Sequence, residues 1–119
     1  MLNVKKTEFS YNLFLNASHK CEDGVHSNTW NINIVINASG LSVTVEELYS
    51  RLEKALEYYQ NKNLNEAVPF DVLNPDLVNI SRYFAERFGA VAASCGCSLT
   101  EIRVNDSVRM GIVVKMADE

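Results

Sequence analysis

Two histidines and a nearby cysteine are the residues best suited to chemistry in the first part of the chain. His19 and His26 are the two histidines of the sequence, and Cys21 lies between them. Asn28 follows His26 by two positions, which places both on one face of a strand. A catalytic zinc site usually takes three protein ligands. His19 and His26 can supply two, but Asn28 offers only a weak amide oxygen, and two ordinary surface histidines remain the alternative.

The three cysteines leave several roles open. Thiolates form where a cationic group or a metal lies near, whereas Cys21 is followed by the acidic Glu22 and Asp23. An inert surface thiol and a reactive thiol are therefore both compatible with Cys21. Cys95 and Cys97 have C-x-C spacing but no second pair of ligands in the sequence, so we do not expect a metal site there.

Two long strands are predicted to position the histidines. Residues 7–19 and 26–38 alternate between apolar and polar side chains, the pattern of a half-buried strand. The connection at residues 20–25 contains Asp23-Gly24, a common turn signal. We therefore expect an antiparallel hairpin with His19 at the end of its first strand and His26 at the start of its second.

Two helices and two further strands complete the predicted fold. Thr44 and Glu47 form a capping box before a helix that runs from Val45 to about Asn61. A second helix should begin with Asn74 as N-cap and Pro75 in its first turn, and end just before Gly89; two strands follow at residues 99–105 and 108–116. The order β-β-α-α-β-β predicts a single α+β domain over residues 1–119, with a four-stranded antiparallel sheet and both helices on one face.

Composition narrows the function. The chain has 119 residues, 47% of them hydrophobic, and a net charge of −4. The absence of a basic cluster argues against nucleic acid as a partner, and no apolar run approaches the roughly 20 residues of a membrane span. The polar start and the odd number of cysteines lead us to expect reduced thiols and a cytoplasmic location.

The hairpin motifs resemble those of the 6-pyruvoyl-tetrahydropterin and 6-carboxytetrahydropterin synthases. Ala17-Ser18-His19, a cysteine, and then His26-Ser27-Asn28-Thr29-Trp30 resemble that family's A-A/S-H, catalytic Cys and H-G-H pattern, whose three histidines bind zinc. The resemblance implies that His19 and His26 keep two ligand places and that Asn28 stands at the third. It also places Cys21 where the catalytic thiol belongs.

Two later segments resemble family motifs in which functional residues are replaced. Residues 60–65 (QNKNLN) are similar to D-H-x-x-L-N, so Gln60 and Asn61 stand at the places of a proton-relay Asp and His, and neither can shuttle protons near neutral pH. Residues 73–79 (LNPDLVN) are similar to L-N-P-T-x-E-N, with Asp76 and Val78 at the Thr and Glu places.

A last motif implies a ligand anchor. Residues 102–107 (IRVNDS) are similar to V-x-V-x-E-T, whose Glu holds the pterin by accepting two hydrogen bonds from the ring. Asp106 retains the carboxylate on a side chain shorter by one methylene. From the residues alone, Asp106 is equally well explained as a turn residue between two strands.

The resemblance implies a tunnelling fold, in which sheets from three subunits close a twelve-stranded barrel and two trimers stack into a hexamer, with the pterin site between subunits. It implies zinc as a cofactor, although the incomplete ligand set weakens that expectation. We expect a binder of a pterin-like small molecule with weak, altered or no synthase activity. The alternatives are an active lyase that recruits Cys21 or Glu22 as a metal ligand, and a structural or partner-binding oligomer.

Overall fold

The computed structural model describes residues 7–106 and 110–117. They form a four-stranded antiparallel sheet with two helices, as the sequence predicts, and the strands pair in chain order. The elements along the chain are β1 (Glu8–Cys21), β2 (Gly24–Asn37), α1 (Val45–Glu57), a 3₁₀ turn (Leu64–Glu66), α2 (Leu77–Ser94), β3 (Ser98–Asn105) and β4 (Gly111–Lys115). Residues 108 and 109 of the predicted last strand lie outside the described ranges.

The first hairpin is longer and tighter than the sequence suggested. Its register runs without a break from Glu8 opposite Asn37 to Cys21 opposite Gly24. Only Glu22 and Asp23 form the turn, so the six-residue loop predicted at residues 20–25 was too long. Gly24 has a φ of 125°, which only glycine adopts readily, and this conformation lets the strands pair up to the turn.

One face of the sheet carries the core. Alternate residues of β1, β2 and β3 are fully buried, and the helices contribute apolar side chains that pack onto them: Leu13, Leu15, Trp30, Ile32, Ile34, Ile36, Ile102 and Val104 from the sheet, and Leu48, Leu52, Leu56, Ile80, Phe84 and Phe88 from the helices. The residues between them on β1 are exposed. Both helices thus cover one face of the sheet, as expected.

The start of α1 was predicted correctly, but its end and the start of α2 differ. The Glu47 amide donates to Thr44 Oγ1 at 3.1 Å, while the Glu47 carboxylate accepts from Arg51 instead of reaching back. α1 ends at Glu57, before the predicted Asn61. The N-cap of α2 is Asp76 rather than Asn74, because the Asp76 carboxylate lies within 2.8 Å of the amide nitrogen three residues on.

α2 also continues past Gly89, where the sequence suggested that it stops. The next four residues include three alanines, which favour helix, and Ala92 is buried in the core. The chain turns at Gly96 instead, which has a φ of 82°. Among the described residues, neither helix combines the length and apolar character needed to cross a membrane.

Candidate functional site

The turn end of the first hairpin brings the predicted site residues together. His19 and His26 are direct cross-strand partners, and Asn28 lies opposite Ala17, one step further along the same face. Cys21 follows His19 by two positions, so it shares that face as well. This is the face that the helices cover further along the sheet, and the His19 ring lies 5.4 Å from the ring of the buried Trp30.

The Cys21 thiol lies against the His19 ring. Its Sγ is 3.8 Å from Nδ1 and 3.9 Å from Nε2. Both distances are long, so the thiol lies over the ring and makes no short hydrogen bond with either nitrogen. The arrangement places a nucleophile beside a base, and proton transfer would require the ring to turn so that the lone pair of one nitrogen faces the thiol.

His26 is engaged by a residue that the sequence analysis had not assigned to it. Its Nε2 lies 2.8 Å from Asp23 Oδ1, and both side chains are largely exposed. The hydrogen bond from His26 lowers the pKa of Asp23. The signal in the sequence was the short spacing across the Asp23-Gly24 turn, which brings residues 23 and 26 together. This contact leaves Nδ1 as the one ring nitrogen of His26 available to a metal.

At the third zinc-ligand place, the side-chain oxygen already accepts a hydrogen bond. The Asn28 Oδ1 accepts a hydrogen bond from the Thr29 amide at 2.9 Å. Across residues 7–106 and 110–117, no three His, Cys, Asp or Glu side chains are grouped so that they could hold a metal ion. The side chains present therefore do not fit a three-ligand zinc site, because the third donor is a neutral amide whose oxygen is bonded to its own strand.

Gln60, at the first relay place, binds the outer edge of β1. Its Oε1 accepts from the Asn16 amide at 2.9 Å, and its Nε2 donates to the Phe14 carbonyl at 2.7 Å. The side-chain amide thereby copies the hydrogen bonds that a neighbouring strand would make. Both of its polar groups are engaged, so Gln60 has a structural role in place of a proton relay.

The rest of this segment also runs along β1. The Asn61 amide donates to the Asn16 carbonyl at 2.6 Å, with a φ of 61° at Asn61. The Ser18 amide donates to the Lys62 carbonyl, and the Lys20 amide to Asn65 Oδ1 at 2.6 Å. Residues 60–65 thus cover the strand edge near the turn, which would otherwise present unpaired backbone groups.

Asp106 carries the unusual feature of the site. It comes directly after Asn105, the last residue of β3, which is paired with Asn31 of β2. Its amide donates to the Met110 carbonyl, as expected of a turn residue. Its Oδ1, however, is buried and has no hydrogen-bond partner among the described residues. Burying a carboxylate oxygen without a hydrogen-bond donor costs folding free energy. A bound ligand that donates a hydrogen bond to this oxygen would remove that cost.

The L-N-P segment contributes structure instead of chemistry. Asp76 is the N-cap of α2, and Val78 is 41% exposed within the first turn of that helix. Within the described residues, neither side chain is hydrogen-bonded to the hairpin. Asp76 therefore caps the helix, and Val78 supplies no polar group at the place of the family's Glu.

Comparison with known proteins identifies the family. A family model described as 6-pyruvoyl tetrahydropterin synthase matches residues 3–116. The structure is similar to that of the Caenorhabditis elegans 6-pyruvoyl tetrahydropterin synthase, with a TM-score of 0.77 over 98% of this chain and 100% of that one, at 14% sequence identity. No curated protein is significantly similar in sequence. The structural likeness establishes the fold, and the match over nearly the whole length shows that the chain belongs to the 6-pyruvoyl tetrahydropterin synthase family.

Proposed function

We propose that this protein binds a pterin-like heterocycle and does not carry out the synthase reaction at an appreciable rate. The observation that carries the binding proposal is the buried Oδ1 of Asp106, which has no hydrogen-bond partner within residues 7–106 and 110–117. A pterin presents a ring N–H and an amino group side by side, and a carboxylate accepts both hydrogen bonds at once. Binding such a ligand would satisfy the Asp106 oxygen and offset the cost of burying it.

The proposed lack of synthase activity depends on three neutral side chains. Asn28 stands at a ligand place with its oxygen bonded to the Thr29 amide, and Gln60 binds the strand edge with both of its polar groups. Asn61 does not titrate in the useful range. General acid–base catalysis contributes roughly 10²- to 10⁴-fold in rate, and a weakened metal site removes a further contribution.

The binding proposal is tested by titrating the protein with neopterin and following ligand fluorescence. We expect saturable binding by the wild type and at least about tenfold weaker binding by Asp106→Asn, because the variant replaces an acceptor oxygen with an amide donor that faces the donors of the ring. Asp71→Asn, at an exposed position between the helices, is the matched control. Equal affinity of all three proteins, or no binding by the wild type, would refute the proposal.

The contact between Cys21 and His19 favours a second candidate, an active lyase that uses substitute ligands. Cys21, His19 and His26 lie on one face near the turn, and a thiolate is a better zinc ligand than the Asn28 amide. Zinc would have to draw these three side chains together, because among the described residues they are not grouped closely enough to hold a metal ion. In this case added zinc should bind stoichiometrically, and Cys21→Ala should lose both the metal and the activity. Unchanged zinc content in Cys21→Ala would dismiss this candidate.

A further inference from the structure

A polar cleft lies at the turn end of the first hairpin, and two of its lining residues, Asn28 and Asn61, stand at the third zinc-ligand place and the second relay place. Its volume is about 440 Å³, within the roughly 300–1,000 Å³ of small-molecule sites. Seven residues line it, and all but Ala17 have an amide or hydroxyl side chain: Asn16, Ala17, Ser18, Ser27, Asn28, Thr29 and Asn61. Asp106 is not among these residues, so the cleft is separate from the carboxylate that anchors the pterin-like ligand.

Two cross-strand pairs build the floor of the cleft. Asn16 lies opposite Thr29, and Ser18 lies opposite Ser27. These four residues alternate with the buried residues of β1 and β2, so their side chains project from the sheet face opposite the helices. The Thr29 hydroxyl donates to Asn16 Oδ1 at 2.7 Å, which confirms that this pair shares one face and fixes both side chains.

Two polar groups in the cleft are available to a ligand. The Ser27 hydroxyl and the side-chain amide of Asn61 make no hydrogen bond with other described residues. Asn61 is held in place by its backbone, which has a φ of 61° and donates to the Asn16 carbonyl. The cleft thus contains a side-chain amide, which both donates and accepts, and a hydroxyl, neither of which is hydrogen-bonded to another described residue.

The charge of the lining limits the class of ligand. None of the seven lining residues is ionisable, whereas phosphate and carboxylate ligands are normally held by Arg, Lys or helix N-termini. The nearby Lys62 does not supply this charge, because its ammonium group lies 3.5 Å from the centre of the Tyr58 ring. Divalent cations are equally disfavoured, since the lining has no carboxylate.

One exposed aromatic ring lies beside the cleft. Phe14 precedes Asn16 by two positions on β1 and so projects from the same face, with 51% of its surface exposed. An exposed ring next to hydroxyl and amide groups can pack against the apolar C–H face of a sugar-like ring, while its hydroxyls bond to the polar side chains.

We infer that this cleft binds a neutral, polyhydroxylated ring of monosaccharide size. Size, absence of charge, unpaired amide and hydroxyl groups and a neighbouring aromatic ring all agree with this class. The inference goes beyond the proposed function: the cleft shares Asn28 and Asn61 with the replaced synthase positions, but Asp106, the proposed pterin anchor, does not line it.

The test is an NMR titration of the ¹⁵N-labelled protein with glucose, and separately with glucose 6-phosphate at the same ionic strength. Glucose should shift the backbone amides of residues 27–29 and the side-chain amide of Asn61, with saturation by about 100 mM, the weak affinity expected of a few neutral hydrogen bonds. Glucose 6-phosphate should bind no more tightly, because the cleft offers its phosphate no cation.

Two variants locate the binding. Asn61→Gly removes the amide and suits the positive φ, and Ser27→Ala removes the hydroxyl; each should weaken glucose binding by about threefold to tenfold. Ser98→Ala, which changes an exposed serine at the start of β3, should bind glucose as the wild type does. Shifts that map elsewhere, no shifts at about 100 mM, tighter binding of the phosphate, or unchanged affinity in both cleft variants would overturn the inference.

Discussion

At the scale of single residues, Gln60 shows how a functional place can be taken over by a structural role. Its two hydrogen bonds to the edge of β1 replace a neighbouring strand. We predict that Gln60→Ala lowers the free energy of unfolding by about 1–2 kcal/mol, since two neutral hydrogen bonds to the backbone are lost. Gln60→Glu keeps the oxygen that accepts from Asn16 but places a carboxylate oxygen against the Phe14 carbonyl. It should therefore lower the free energy of unfolding at least as much as Gln60→Ala. Denaturant unfolding measures both; unchanged midpoints would show that the contact contributes nothing.

Asn28 permits a direct test of the ligand set. Asn28→His adds an imidazole on the same sheet face as His19 and His26, so it should bind zinc more tightly than the wild type by at least about tenfold. Ser27→His is the matched control, because its imidazole projects from the opposite face. Zinc titration by calorimetry distinguishes them. An equal gain in both variants, or tight stoichiometric zinc in the wild type, would contradict our account of the site.

At the scale of elements, two glycines near the end of α2 should respond oppositely to alanine. Gly89 lies inside the helix, where a Cβ would meet only Met116 Cε at an ordinary 3.7 Å. Gly89→Ala should therefore stabilise by about 0.5–1 kcal/mol. Gly96 has a φ of 82°, and a Cβ there would clash with the Gly40 carbonyl oxygen, so Gly96→Ala should destabilise by more than about 1 kcal/mol. Thermal unfolding measures both changes: the midpoint should rise in Gly89→Ala and fall in Gly96→Ala. Equal shifts in the two variants would contradict this prediction.

These two glycines also show the limits of prediction from sequence. Gly89 resembled a helix end, but the alanines that follow it and the burial of Ala92 extend α2. The hairpin was predictable because its alternation runs along the whole of both strands and the Asp23-Gly24 turn marks their junction. The edge contacts of residues 60–65 were not, because hydrogen bonds between a side chain and a distant strand leave no periodic pattern.

The candidate site, too, was predictable from the sequence only in part. His26 and Asn28 could be placed on one face from strand periodicity, and His19 was expected near His26 from the hairpin alone; the structure pairs His19 directly with His26. The bond between Asp23 and His26 depends on the exact length of the turn, which the sequence analysis overestimated. The buried Asp106 oxygen, which has no partner in the described part of the chain, depends on the folded environment and could be recognised only in the structure.

At the scale of the whole molecule, the chain is elongated. Its radius of gyration is 15.3 Å, compared with about 13.5 Å for a compact domain of this length. β1 and β4 are the edge strands, and residues 60–65 cover only the turn end of β1. Pairing between copies would cover the remaining edges. We predict a homo-oligomer, a trimer or hexamer; a stable monomer in sedimentation at micromolar concentration would contradict this.

Binding without conversion is the central claim, and a single-turnover experiment tests it most directly. Excess protein is mixed with dihydroneopterin triphosphate, with and without zinc, and the ligand that stays with the protein after rapid gel filtration is identified. We predict that the ligand is retained and recovered unchanged, with less retention by Asp106→Asn. Conversion at about 10 s⁻¹, the typical median for enzymes, or even at a hundredth of that rate, would contradict the account, as would a complete failure of the wild type to retain the ligand.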